Sequence, residues 1–274
     1  MSETASCPKV EQPDFLVTKE YRRFAEFCKA CQRERYIGLC YGPPGVGKTL
    51  SARYYTQWHL LEHRLPPDRP YLPLPQEIAE CRALFYTPEV INSAKRVYTD
   101  IKAMRAMFNR FVEELIYPPC DNMPTNTPED YCKLLIVDEA DRLKMAALEQ
   151  LRDFYDRGGM GLVFIGMPGL EKRMSRYPQL YSRIGFAHKF QPLSSQEVRF
   201  ILEYHWERLG LKLDTADFTD SEAVAAVVRI TGGNFRLIHR LFAQIRRILE
   251  LNNLSSISSE VVEAARECLV IGTT

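Results

Sequence analysis

Eight consecutive residues, Gly42, Pro43, Pro44, Gly45, Val46, Gly47, Lys48 and Thr49, fit the pattern GxxxxGK[ST] in full. Each residue type there has a chemical reason. Glycines let backbone N–H groups turn inward around an anion, at a helix N-terminus that already favours negative charge. The Lys48 ammonium can reach the β- and γ-phosphates of a nucleotide, and the Thr49 hydroxyl can ligate Mg²⁺. Leu50, the next residue, completes the candidate nucleotide-binding set. A second group follows an apolar run: Leu134, Leu135, Ile136 and Val137 lead into Asp138 and Glu139. A carboxylate at the C-terminal end of a buried parallel strand lies in the crevice where such sheets bind ligands. Asp138 can hold Mg²⁺ through water, and Glu139 is placed to polarise an attacking water as general base. Two acids buried for packing alone would be unfavourable, because unpaired buried charge is costly. The cofactors expected are ATP and Mg²⁺, and the chemistry expected is ATP hydrolysis.

These residues need strands and helices to hold them, and the periodicity supplies candidates. Thr18 can cap a helix carrying Tyr21, Phe24, Cys28 and Cys31 on one face. Residues 36–41 read as a short buried strand feeding the glycine-rich turn, with a helix from Lys48. Prolines 66, 67, 70, 73 and 75 make the next stretch a surface connection. Strand candidates follow at 83–86, 134–137, 162–165 and 187–190. A basic helix spans 97–116, a loop 117–130, and a helix with Leu143, Leu148, Leu151 and Phe154 stops at Gly158-Gly159. From residue 194 only helical patterns appear, at 195–209, 221–230, 234–251 and 259–268. Alternating β and α predicts a parallel sheet with crossover helices. The expected organisation is a tail at 1–17, a nucleotide-binding α/β domain at 18–192, and an all-helical lid at 193–274.

Composition narrows the setting. The 36 basic and 35 acidic side chains of this 274-residue chain leave a formal charge of +1, so any contact with nucleic acid must come from a local patch. The polar N-terminus has no apolar core of a secretory signal, and no apolar run is long enough to span a bilayer. A cytoplasmic protein without membrane contact is expected. Cys28 and Cys31 form a CxxC without a second ligand pair, and packing is the expected role of both.

The acid pair at 138–139, the helical C-terminal region and the TGGNFR element at 231–236 resemble AAA+ ATPases. That resemblance implies a P-loop NTPase sheet with flanking helices followed by a small all-helical lid. It assigns Arg236 to the γ-phosphate as "sensor 2", in cis. The run at 177–186 resembles the segment that presents an arginine finger to the neighbouring subunit. Arg183 is the matching position and Arg176 the substitute; Arg236 and Arg183 each also read as a solvated surface charge. More narrowly, DEADRL followed by a helix and VFIGMPGL resembles the DNA-transposition regulators of the MuB, TnsC and TniB kind, over residues 15–270. The usual polar "sensor 1" group is replaced by Met167, whose side chain cannot donate a hydrogen bond. Slow, assembly-dependent hydrolysis is the expectation.

By that resemblance the partners are double-stranded DNA gripped by its backbone, further copies of the chain in a ring or helical filament, a transposase and a target-selection protein. Lys95, Arg96, Lys102 and Arg105 are the candidate backbone contacts, which position without reading sequence; an ordinary solvated helix face is the alternative. Two other functions share the core: a helicase or initiator loader, and a secretion or signalling switch without DNA.

Overall fold

The computed structural model describes residues 15–62, 75–117, 130–214 and 216–269 of the chain. Most of the N-terminal tail, the proline-rich connection and the loop before Asp130 lie outside the described residues. Five strands form one parallel sheet: β1 (Ile37–Tyr41), β2 (Ala83–Tyr86), β3 (Leu134–Val137), β4 (Gly161–Gly166) and β5 (Ile184–Lys189), in the order β2-β3-β4-β1-β5. The three inner strands are apolar throughout because both faces are covered. Edge strand β5 instead alternates half-buried and exposed positions. It therefore lacks the apolar run that reveals a strand, and it begins three residues before the expected 187.

Helix α1 (Lys19–Glu34) is capped by Thr18, whose hydroxyl accepts from the Tyr21 N–H at 3.1 Å. It buries Phe24, Cys28 and Cys31 against the sheet, so the CxxC is core; burial pushes the Cys31 thiol up to about 12. α2 (Lys48–Tyr55) leaves the glycine-rich turn, and the short α3 (Trp58–Leu61) and α4 (Gln76–Cys81) border the undescribed segment. α5 (Ala94–Ile116) follows β2 behind a Ser93 cap. α6 (Met145–Gly158) links β3 to β4 and ends at Gly159 in the left-handed region. Two short helices, α7 (Leu170–Met174) and α8 (Pro178–Tyr181), lead into β5. They are too brief to show a periodicity, which is why the sequence pattern misses them.

The four C-terminal helices are α9 (Ser195–Arg208), α10 (Phe218–Thr231), α11 (Phe235–Asn252) and α12 (Ser259–Glu267). They enclose a second core around Trp206, Ile238, Leu241 and Phe242. Within the stretch expected to be tail, Phe15 stacks on Tyr54 with ring centroids 3.9 Å apart, and Leu16 packs against that second core. The Glu197 carboxylate joins the two bodies. It accepts from the Lys19 N–H at 2.9 Å and from the Ser194 N–H at 3.0 Å, so one side chain caps both α1 and α9. No described helix is long and apolar enough to cross a membrane.

Candidate nucleotide site

The strand order brings the two sequence motifs together. β4 lies between β1 and β3, so the turn after Tyr41 and the acids after Val137 emerge at the same edge on either side of Gly166. Between them is a cavity of about 400 Å³, lined among others by Gly45, Lys48, Thr49, Asp138, Glu139 and Arg236. That volume lies within the range of ordinary ligand sites.

Gly45 and Gly47 hold φ of +78° and +106°, the left-handed region that L side chains avoid. A Cβ on Gly45 would also collide with the Asn234 side chain. The Lys48 ammonium is folded back onto its own loop, donating to the Gly42 carbonyl at 2.6 Å and the Pro43 carbonyl at 2.8 Å. Burial lowers its pKa, opposed by nearby Cys40, Asp138, Glu139 and Asp141. The Thr49 hydroxyl donates to Asp138 Oδ2 at 2.7 Å. Asp138 is only 3% exposed, and burial raises its carboxyl pKa against the opposing Thr49 hydrogen bond. A hydroxyl and a desolvated carboxylate in direct contact form a hard-oxygen donor pair that suits Mg²⁺. These residues fit the ion, and Thr49 and Asp138 would hold it.

Glu139 differs from its neighbour. It sits at φ +50° with its carboxylate 3.9 Å from the Arg142 guanidinium and 46% of its side chain exposed. Arg142 in turn donates to the Pro88 carbonyl at 3.1 Å. The turn after Glu139, a single 3₁₀ turn at Ala140–Arg142, is held from behind by Arg173, which donates to the carbonyls of Ala140, Asp141 and Leu143.

The helical region closes the cavity through backbone contacts. Arg236 N–H donates to the Gly45 carbonyl at 3.0 Å, and Asn234 Nδ2 donates to the Pro44 carbonyl at 2.9 Å. Asn234 also caps α11, accepting from the Leu237 N–H at 3.2 Å. Arg236 and Leu50 both line the cavity. His239, one turn beyond Arg236, and Arg53 on α2 line it too. Sequence reasoning singled out neither of these, nor Asn234 or Arg173. The asparagine immediately before an amphipathic run was a readable cap signal, whereas the contacts of Arg173 and His239 depend wholly on the tertiary fold.

Arg183 is not brought into this cavity. Its carbonyl accepts from the Ile37 N–H at 3.2 Å, which places it at the opposite end of β1 from the loop. Five residues of strand separate the two levels, roughly 16 Å at about 3.3 Å per residue. Its guanidinium grips Asp156 through two hydrogen bonds of 2.6 and 2.9 Å. Arg176, the substitute position, is exposed.

The candidate backbone contacts on helix α5 do not share one environment. Arg105 is built into the protein: it pairs with Asp130, donates to the Gly158 carbonyl and lies 5.1 Å from the Phe154 ring centroid. Arg105 thus buttresses the contact between α5 and α6 along that face. Arg96 is paired with Asp100 at 3.0 Å and Glu89 at 3.4 Å. Lys95 and Lys102 remain exposed, seven positions apart on one side of the helix.

Residues 31–174, which include both motifs, match the AAA domain family. This chain belongs to it. A "potential ATP-binding protein" of Staphylococcus aureus is 50% identical over 266 residues, covering 94% of this chain and 97% of that one. The Mu-like prophage FluMu DNA transposition protein B of Haemophilus influenzae is 25% identical over 246 residues, covering 85% of this chain and 73% of its own length. Among solved structures, the Thermotoga maritima RuvB Holliday junction branch migration motor superposes with a TM-score of 0.57 at 16% identity, covering 93% of this chain and 70% of that one. The Aeropyrum pernix ORC2 protein gives 0.53 at 18%, covering 93% and 68%. At those identities the likeness is one of fold: the P-loop AAA+ sheet with a helical C-terminal region, the fold of an AAA+ ATPase.

Proposed function

We propose that this AAA+ ATPase regulates DNA transposition: with ATP it oligomerises on double-stranded DNA without sequence preference, and recruits or activates a transposase at a site chosen with a target-selection protein. The observation that carries the reading is the relationship, along 85% of the chain, to a DNA transposition protein B. The site suits a nucleotide-gated switch. Lys48 must leave the Gly42 and Pro43 carbonyls to meet the β- and γ-phosphates, so ATP exchanges one set of bonds for another. Thr49 and Asp138 would hold a Mg²⁺, which would supply positive charge against the nucleotide's phosphates. Glu139 must turn from Arg142 toward the attacking water to accept its proton. Arg236 reaches the γ-phosphate in cis, with its helix already seated on the loop carbonyls. Arg183 acts in trans on the neighbour's nucleotide, so an isolated subunit is incomplete. Met167 offers no polar side chain beside the γ-phosphate, and turnover is slow.

The DNA face is Lys95 and Lys102, on the helix that follows β2 at the nucleotide edge of the sheet. A loader of helicases or initiators is the second reading, and the likeness in fold to the RuvB motor and ORC2 favours it. Electron microscopy and light scattering with ATP, in the presence and absence of DNA of unrelated sequences, test the proposal. Filaments or rings that need both ATP and DNA, and that stimulate a transposase, are expected. Assembly indifferent to DNA would move the protein to the signalling class, and DNA-bound assembly that loads a helicase would make it a loader.

A further inference from the structure

The residue at the end of β4 poses a chemical problem. A water attacking the γ-phosphorus carries two hydrogens, and its lone pair is aimed only when both are held by acceptors. Glu139 is one acceptor. Met167, 39% exposed and lining the cavity, supplies only a weakly accepting thioether. What stands there instead is a carboxylate. Asp141 Oδ2 accepts from the Met167 N–H at 2.7 Å, and Asp141 lines the same cavity as Lys48, Thr49, Asp138 and Glu139. Gly166 makes room for it, because a Cβ at that position would collide with Oδ2. Arg173, bound to three carbonyls of the turn, fixes the backbone that carries it. A carboxylate is acceptor-only and would repel a phosphate oxygen, so its partner beside the γ-phosphate has to be a donor, and the attacking water is one.

We propose that Asp141 is a further catalytic residue of this site, holding through Oδ1 the second hydrogen of the attacking water whose first hydrogen goes to Glu139. The water oxygen bonds to the γ-phosphorus as the bridging bond to the β-phosphate oxygen breaks. That oxygen keeps the electron pair on ADP, one proton passes to Glu139, and Asp141 itself takes none. The inference rests on the ATP-hydrolysis reading above.

Asp141→Asn separates this role from a structural one. The amide oxygen can still accept from the Met167 N–H, while an NH₂ donor replaces the acceptor that faced the water. ATP affinity by fluorescent-analogue titration, the thermal midpoint, and single-turnover hydrolysis at saturating MgATP with DNA are measured on full-length wild type and variant. The expected result is affinity within about twofold of wild type, an unchanged midpoint, and a rate lower by about 10², the low end of what positioned acid–base groups contribute. A wild-type rate in the variant overturns the inference and leaves the ATPase reading standing. So does a slow variant whose ATP affinity or midpoint has fallen in step, since Asp141 would then be structural. A wild-type chain that binds ATP and never hydrolyses it removes the ATPase reading itself.

Discussion

If Arg183 is a finger for the neighbouring subunit, its grip on Asp156 competes with assembly. Both carboxylate oxygens of Asp156 accept from it, at 2.6 and 2.9 Å, and Arg152 shares the same carboxylate at 2.7 Å. The Arg183 and Asp156 side chains are 32% and 31% exposed, so the pair is screened by water, and a partly exposed pair contributes about 0.5–1 kcal/mol. Releasing Arg183 costs that amount before any phosphate contact is made. Asp156→Ala removes the cost, and with about 1.4 kcal/mol per factor of ten the ATP-dependent assembly midpoint should fall by about two- to fivefold. Arg183→Ala should bind ATP as a monomer and fail to assemble. Sedimentation or light scattering over a protein titration, with ATP and DNA held constant, reads both. Mixing Arg183→Ala with Lys48→Ala should restore some hydrolysis, because one supplies an intact site and the other an intact finger. An Asp156→Ala chain that assembles less readily than wild type, or a mixture as inactive as its components where they co-assemble, refutes the trans assignment and turns attention to Arg176.

Three further outcomes follow from the same geometry. Burial raises the Asp138 carboxyl pKa, so its ionised form costs stability that is absent below the unfolded value and grows as pH rises through the folded one. Asp138→Asn should therefore raise the nucleotide-free thermal midpoint at neutral pH, while MgATP no longer adds stability; a lower midpoint would contradict this. His205 is held down at about 4 by burial and by His239, Arg208 and Arg246. Stability it contributes above pH 6.5 is lost as pH falls toward 4, by about 1–2 kcal/mol at pH 5 after allowing for its partial exposure. His205→Phe, which keeps the stack on Phe242 at 4.6 Å, should show a smaller difference between pH 7.5 and 5 in urea unfolding. Lys95→Ala with Lys102→Ala should weaken DNA binding equally on unrelated sequences and reduce the slope of log affinity against log salt by about 0.9 per lost contact; an unchanged slope places the DNA elsewhere.

What could be read from the chain alone was whatever is local. A phosphate loop is a contiguous run of small residues and a lysine, so 42–49 was legible without any neighbour, as were the strands at 83–86 and 134–137 whose burial leaves an unbroken apolar run. The cap at Thr18 was equally local, since an N-cap bonds within its own first turn; the cap at Asn234 is as local, though it was not singled out. The order of strands was not, because parallel pairing is decided by which crossovers pack, and only β4 lying between β1 and β3 sets Thr49 against Asp138. The basic residues of α5 show the same division. Their spacing put Lys95, Arg96, Lys102 and Arg105 in one class, but a charge becomes a ligand contact or a buttress according to what the fold places beside it. Asp130 and the end of α6 made Arg105 a buttress, Glu89 and Asp100 engaged Arg96, and nothing in the linear pattern of the helix distinguishes these from Lys95 and Lys102. Likewise Asp141 was one more acid in DEADRL until the sheet set the end of β4 within 2.7 Å of it.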